Sequence, residues 1–285
     1  MTPLRQKMIN DMKVRGFADG TQETYMYAVK GFAEHLDRSP EQASELEAQQ
    51  YLLYMQEEKQ LAWSTCNVTA TALRFLYAVT LNRPAMALAI PRRKSEKRLP
   101  EILSRQELER LFAASLNPQH RAILMTAYAA GLRVSELSSL KVRDIDSERM
   151  MIRVDQGKGN KDRYTILSPR LLLELRRHWL ISRSPEFLFP ANGKTTPIRR
   201  RSIQDIYSAA KKKAGIKKGR GIHSLRHAFA THLLETGVDL PTIQALLGHS
   251  SIRSTSIYLR VTRKKLSRTQ SPLDLLHLPT QTLPH

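Results

Sequence analysis

The chain has 285 residues and carries 46 Lys+Arg against 26 Asp+Glu, a net charge of +20. At roughly 150 residues per domain, that length predicts about two domains with real cores. Hydrophobic residues at 41% and charged residues at 25% exclude a disordered, collagenous or coiled-coil chain. The single cysteine, Cys66, excludes an internal disulfide framework and a Cys-based zinc site, and fits a reducing cytosol. The longest apolar run, Ala122 to Leu132, is too short to cross a bilayer, and the start MTPLRQKMIND has no apolar signal region. A soluble cytoplasmic protein with a polyanionic partner is therefore expected.

The charge is unevenly placed. Residues 1–90 sum to −1, so residues 91–285 carry +21. The N-terminal part reads as four to five helices in a small all-α module. In TQETYMYAVKGFAEHL, Tyr25, Val29, Phe32 and Leu36 share one helical face, with Thr21 as the start. A second helix is predicted over Glu45–Glu57, carrying Leu46, Leu53 and Tyr54. A third is predicted over Ser64–Leu81 with Val68, Leu73, Leu76 and Tyr77 as core. The stretch PRRKSEKRLP, Pro91–Pro100, places five basic residues and one acid between prolines and reads as an interdomain linker.

Beyond it the pattern is mixed. Ser104 and Glu107 form a capping-box signature at the start of SRQELERLF. Helices are predicted at Gln119–Ala130, Arg133–Leu140, Pro169–Trp179, Arg201–Ala214, Ser224–Thr236, Leu240–Leu247 and Thr255–Lys265. Met150–Ser168 is two strand-like runs around a Gly/Asn/Lys turn, a β-hairpin. The fold class is thus mainly α with a small β-hairpin or sheet. The tail Ser271–His285, with three prolines and no periodicity, reads as extended.

Four segments could carry chemistry. In GLRVSEL, Arg133 stands at a helix start, where it could address an anion or simply pair with Glu136. In HSLRHAFATHLLETG, Leu225, Phe229 and Leu233 form a buried stripe. His223 and Arg226, three apart in the first turn, can face one ligand. His223, His227 and His232 invite a metal reading, but the i, i+4 His pair with an intervening Glu is missing, so no metal is expected. In LLGHSSIRSTSIYLR, Gly248 ends a helix begun after Asp239, His249 follows, and Tyr258 comes nine residues later; by itself such a tyrosine is a packing residue. In QGKGNKDR, Lys158 sits between glycines at the hairpin turn. No G-x-x-x-x-G-K-[ST] is present, which leaves a hairpin tip reaching into a groove rather than a nucleotide loop.

Taken in order, GLRVSEL, GKGNKDR, HSLRHAFATHLL, LLGHSS and the following Tyr258 resemble the tyrosine recombinase (phage integrase) family, with wording nearest to the bacterial Xer-type recombinases. The resemblance spans nearly the whole chain. It implies a helical core-binding, SAM-like DNA-binding domain over 1–90, a basic linker over 91–100, a tyrosine recombinase catalytic domain over 101–270 and a C-terminal tail over 271–285. It further implies that Arg133, Lys158, His223, Arg226 and His249 are active-site positions and Tyr258 the nucleophile. In that chemistry Arg133 and Arg226 fork onto the scissile phosphate, and His223 takes the tyrosine proton or holds the phosphate. His249 donates a further hydrogen bond, Lys158 protonates the departing 5′-oxygen, and Glu136 orients Arg133.

No metal, ATP or other cofactor is implied. The implied partners are double-stranded DNA with inverted half-sites and further copies of the chain, a dimer on a site and a tetramer in the synapse, with no membrane. Two departures stand out: Ile222 occupies a position where proline is common, and the stretch after Tyr258 lacks a clear match to the Xer C-terminus, which tilts the role toward a mobile element. An extra N-terminal arm-binding domain of the kind found in larger phage integrases is not expected. The alternatives are Xer-type chromosome-dimer resolution, a non-catalytic DNA-binding relative and, less favoured, a type IB topoisomerase.

Overall fold

The computed structural model describes residues 2–90, 100–155, 162–191, 195–249 and 251–260. The chain divides into two compact units, Met1–Lys97 and Arg98–His285. Of the predicted linker only Pro100 is among the described residues, and the tail 271–285 lies outside them.

The first unit is all helical: α1 (Pro3–Val14), α2 (Asp19–Leu36), α3 (Glu45–Glu57), α4 (Trp63–Phe75) and α5 (Pro84–Ala89), with a π-type turn, Leu76–Thr80, carrying α4 onward. Local chemistry sets the starts. The Thr2 hydroxyl accepts from the Arg5 amide ahead of α1, and Ser44 and Glu47 close a reciprocal capping box on α3. Helix α2 begins two residues before the expected Thr21. Its Thr24 hydroxyl donates back to the Gly20 carbonyl at 2.6 Å, so this threonine already lies within the helix.

Met8, Met12, Phe32, Leu73, Leu76 and Tyr77 fill the core, and the Tyr77 hydroxyl donates to the Pro40 carbonyl at 2.9 Å. On α3, Leu46 and Leu53 are 62% and 46% exposed, whereas Ala48, Tyr51, Leu52 and Met55 are buried. Those four occupy an i, i+3, i+4, i+7 stripe, so helical geometry, not side-chain hydrophobicity, chose the face. Val68 of α4 is likewise exposed at the surface.

The second unit holds α6 (Arg105–Ala114), α7 (Pro118–Ala129), α8 (Val134–Ser139), α9 (Pro169–Ser182), α10 (Arg200–Lys213), α11 (His223–Glu235), α12 (Leu240–Leu247) and α13 (Ile252–Thr255). The expected hairpin is a three-stranded antiparallel sheet in the order β1 (Ile145–Asp146), β2 (Met151–Val154), β3 (Arg163–Ile166). The two-residue β1 is too short to show an alternation. Ile152 pairs with Thr165 and Val154 with Arg163. Ile152, Val154 and Thr165 are buried, while Met151, Tyr164 and Ile166 stay exposed, the expected period of two.

Helix α7 is buried continuously from Ala122 to Ala127, and α11 is buried over most of its length. These two lie at the centre of the unit with other helices around them, which is why neither reads as strongly amphipathic. The predicted helix Thr255–Lys265 is replaced, in its described part, by α13 followed by a 3-10 turn over Ser256–Arg260 that carries Tyr258. Among the described residues no helix is long and apolar enough to cross a membrane.

Two glycines bring the backbone together where the site lies. Gly131, between α7 and α8, has φ +60°, and a Cβ there would meet Phe229 at 2.4 Å and Leu247 at 3.1 Å. Gly248 ends α12 at φ +63°, against the Arg163 side chain. Gly131→Ala combines left-handed strain with overpacking. It is expected to lower stability by about 2–4 kcal/mol, read as a lower thermal unfolding midpoint of the full chain.

Candidate active site

The centre of the second unit is one buried carboxylate, Glu136, at 7% exposure. Arg133 directly precedes α8. Its amide donates to Glu136 Oε2 at 2.8 Å and its Nη1 to Oε1 at 2.6 Å. Arg163, from β3, forks onto the same carboxylate, Nη1 to Oε1 at 2.8 Å and Nη2 to Oε2 at 2.9 Å, while its Nε donates to the Leu246 carbonyl. Arg226, from the first turns of α11, is 1% exposed. Its Nη1 and Nη2 each donate at 2.6 Å, to the carbonyls of Gly131 and Leu247, and Nη1 stands 3.8 Å from Glu136 Oε2. The Arg133 Nη2 donates to the Gly248 carbonyl. Three guanidiniums thus surround one carboxylate and leave an excess of two positive charges.

The protonation states follow from that crowding. Burial pushes the Glu136 carboxyl up, but hydrogen bonds and charge from Arg163, then from Arg133, overcome it and hold the group at about 2. Burial and the neighbouring Arg133 pull Arg226 down to about 9, which still leaves it charged at neutral pH. The Arg226 Nε is buried without a hydrogen-bond partner among the described residues.

Around this cluster stand three imidazoles and a phenol. His223 opens α11 at the exposed rim, and the ring of His227, one turn on, packs edge-to-face against it with centroids 4.6 Å apart. Although His223 is open to solvent on one side, the protein around its ring desolvates the imidazolium, and Arg226 and Arg133 repel it; its pKa is lowered. His227 Nδ1 lies 3.1 Å from Tyr258 Oη. Burial, then His223 and Arg226, lower His227 to about 4. His249, in the loop after Gly248, has Nδ1 2.9 Å from Thr255 Oγ1 and is also lowered to about 4, by burial and then by Arg226 and Arg133. Tyr258 is 2% exposed. Burial pushes its phenol up, and Arg226 and Arg133 act against that shift. At neutral pH the arginines are therefore cations and the histidines neutral.

Of the six positions nominated from the sequence, Arg133, His223, Arg226, His249 and Tyr258 converge here, and Lys158 lies outside the described residues. Arg133 pairs with Glu136, whose carboxylate also caps the first turn of α8. The grouping of His223, His227 and His232 dissolves, because His232 Nδ1 sits 2.9 Å from the Tyr128 hydroxyl. Among the described residues no three His, Cys, Asp or Glu side chains are grouped to hold a metal ion.

Two members were missed. Arg163 ends the same GKGNKDR run that holds Lys158, but its partner is 27 positions away. His227 lies four residues after His223, a spacing readable as one helical face, but its contact with Tyr258 spans 31 positions.

Comparison with known proteins settles the family. Residues 101–265 match the Phage integrase family, and residues 4–86 match the Phage integrase, N-terminal SAM-like domain. The chain belongs to the phage integrase family. It is an Xer-like, site-specific tyrosine recombinase. It is 45% identical over 287 residues to the integrase/recombinase y4qK of Sinorhizobium fredii, covering 100% of this chain and 92% of that one. To the tyrosine recombinase XerA of Thermococcus kodakarensis it is 33% identical, over 89% of this chain and 94% of the relative. Its fold is similar to that of the XerH site-specific recombinase in a crystal structure bound to palindromic difH substrate. The TM-score there is 0.70 at 23% identity, over 90% of this chain and 80% of that one.

Glu136→Gln leaves buried guanidiniums without a counter-charge and is expected to cost about 3–5 kcal/mol. Because the folded carboxyl sits at about 2 against an ordinary 4.5, its stabilisation is complete above pH 4.5 and is lost as pH falls toward 2. Urea denaturation across that window is expected to show a steeper acid decline for wild type than for Glu136→Gln.

Proposed function

We propose that this recombinase cuts and rejoins duplex DNA through a 3′-phosphotyrosyl bond to Tyr258. The observation that carries the reading is the excess of two positive charges, buried beside a buried phenol. A phosphodiester brings one negative charge and gathers more on its non-bridging oxygens as the nucleophile adds. Fixed cations in a dry site favour that state over the ground state. In this mechanism Arg133 and Arg226 fork onto the non-bridging oxygens, and the Arg226 Nε–H has hydrogen-bonding capacity to spare. His223 and His249 donate neutral N–H bonds to the same oxygens.

The Tyr258 Oη–P bond forms as the phenolic proton passes to a neighbouring base, the P–O5′ bond breaks, and Lys158 gives its proton to the leaving 5′-oxygen. Glu136 and Arg163 keep the two forks in register. The guanidiniums provide charge stabilisation that a metal provides elsewhere, and the phosphotyrosine retains the energy of the broken ester, so neither metal nor ATP enters the scheme.

In this reading residues 1–90 are the core-binding DNA domain, 91–100 the basic linker, 101–270 the catalytic domain and 271–285 the tail. The substrate is duplex DNA with inverted half-sites in the cytoplasm, bound by a dimer and recombined in a tetramer. The DNA complex of the fold neighbour XerH supports a duplex partner. The stretch after Tyr258, which lacks a clear match to the Xer C-terminus, favours a mobile-element role over chromosome-dimer resolution.

The test uses a duplex selected by the protein from a randomised pool, nicked so that cleavage is irreversible. Wild type is expected to form an SDS-resistant protein–DNA adduct and Tyr258→Phe none. Binding without an adduct would sink the enzymatic reading. Binding affinity is expected to fall about 10³–10⁵-fold between 50 and 200 mM salt if 6–10 phosphates are contacted.

A further inference from the structure

We propose that His227 is a further catalytic residue of this recombinase, its Nδ1 taking the phenolic proton as Tyr258 attacks. The assignment rests on the cleavage reading above and adds the group that reading leaves open, the proton acceptor. Geometry selects it. His227 Nδ1 lies 3.1 Å from Tyr258 Oη, within reach of direct transfer, whereas His223 stands at the rim with its ring packed on His227 and His249 Nδ1 is engaged with Thr255. The same helix turn that fixes Arg226 against Gly131 and Leu247 also fixes His227, so the acceptor and the phosphate cation form one rigid unit.

The step balances without a co-reactant. Oη–P forms, P–O5′ breaks, the proton passes from Oη to Nδ1, and the 5′-oxygen takes its proton from Lys158. On religation the 5′-hydroxyl returns its proton to Lys158 as its oxygen bonds to phosphorus, the Oη–P bond breaks, and the imidazolium returns its proton to the departing phenolate.

Substrate also controls the timing. In the protein alone, burial and the charges of His223 and Arg226 make His227 a weak base, so the phenol keeps its proton. A phosphate seated on Arg226 offsets that positive charge and raises the basicity of the imidazole only when there is something to cut.

The test measures adduct formation by wild type, His227→Asn and His227→Ala on two nicked duplexes, one with the ordinary phosphodiester and one with a 5′-bridging phosphorothiolate. Sulfur departs from the second as a thiolate and needs no proton. Asn keeps an acceptor oxygen near the place of Nδ1 without basicity, which guards against a variant that merely fails to fold. Duplex binding and thermal unfolding are measured alongside. Both variants are expected to bind as wild type does and to cleave both duplexes at least about 10²-fold more slowly.

A wild-type or faster rate in His227→Asn means the histidine only holds the tyrosine, and overturns the assignment. A defect that disappears on the phosphorothiolate places His227 on the leaving group and overturns it as well. Wild type that binds without forming an adduct overturns the cleavage reading itself, which is distinguishable from either.

Discussion

The second unit is organised around the need to satisfy one buried carboxylate with cations drawn from separate elements. Glu136 cannot remain ionised inside the protein unless positive charge is held against it, and Arg133 three residues away meets only part of that need. Arg163 supplies a second, bidentate pairing from β3, and Arg226 stands close behind on α11. Each arginine also spends a donor on backbone. Arg163 holds the Leu246 carbonyl, Arg226 those of Gly131 and Leu247, and Arg133 that of Gly248. The carboxylate therefore fixes the end of α12 and the turn before α8 relative to the sheet. The glycines at 131 and 248 are the positions where those backbones come close enough for the pairing to close.

The same cluster sets the electrostatics of every neighbouring group, in opposite senses. A cationic field disfavours a proton on imidazole and favours its loss from phenol. Burial adds to the first effect at His227 and His249 and opposes the second at Tyr258. In the unliganded site the three arginines and Glu136 thus carry charge, while the histidines and the tyrosine are neutral. What this arrangement leaves uncompensated is the excess of two positive charges.

How far the sequence could be read depended on the range of each interaction. Elements with local causes were legible: the Ser104–Glu107 cap of α6, the span of α3, the alternation in β2 and β3 and the glycine end of α12 all rest on contacts within a few residues. The inner face of α3 was not legible, because Leu46 and Leu53 are more hydrophobic than Ala48, yet lie off the buried stripe. The five gathered site positions stood out only as an ordered series, since none of Arg133, His223, Arg226, His249 or Tyr258 is diagnostic alone. Arg163 and His227 had no such signal. Their meaning lies in partners 27 and 31 positions away, and nothing in the intervening residues encodes that distance.

The overall charge of +20 conceals two populations of cations with different physics. Lys and Arg on the surface interact through water, where salt screens them beyond about 8–10 Å, and they govern whether the protein finds and holds a polyanion. Arg133, Arg163 and Arg226 lie in a half-buried to buried cluster tied to backbone carbonyls, where screening is weak and orientation is already fixed before a ligand arrives. Charge of the first kind can be exchanged between positions with little consequence. Charge of the second kind cannot be moved, because each guanidinium satisfies both Glu136 and a particular turn of backbone. On the proposed function, the capacity to stabilise a reacting phosphate is therefore a property of the folded core, built from the same bonds that hold α8, α11, α12 and β3 together.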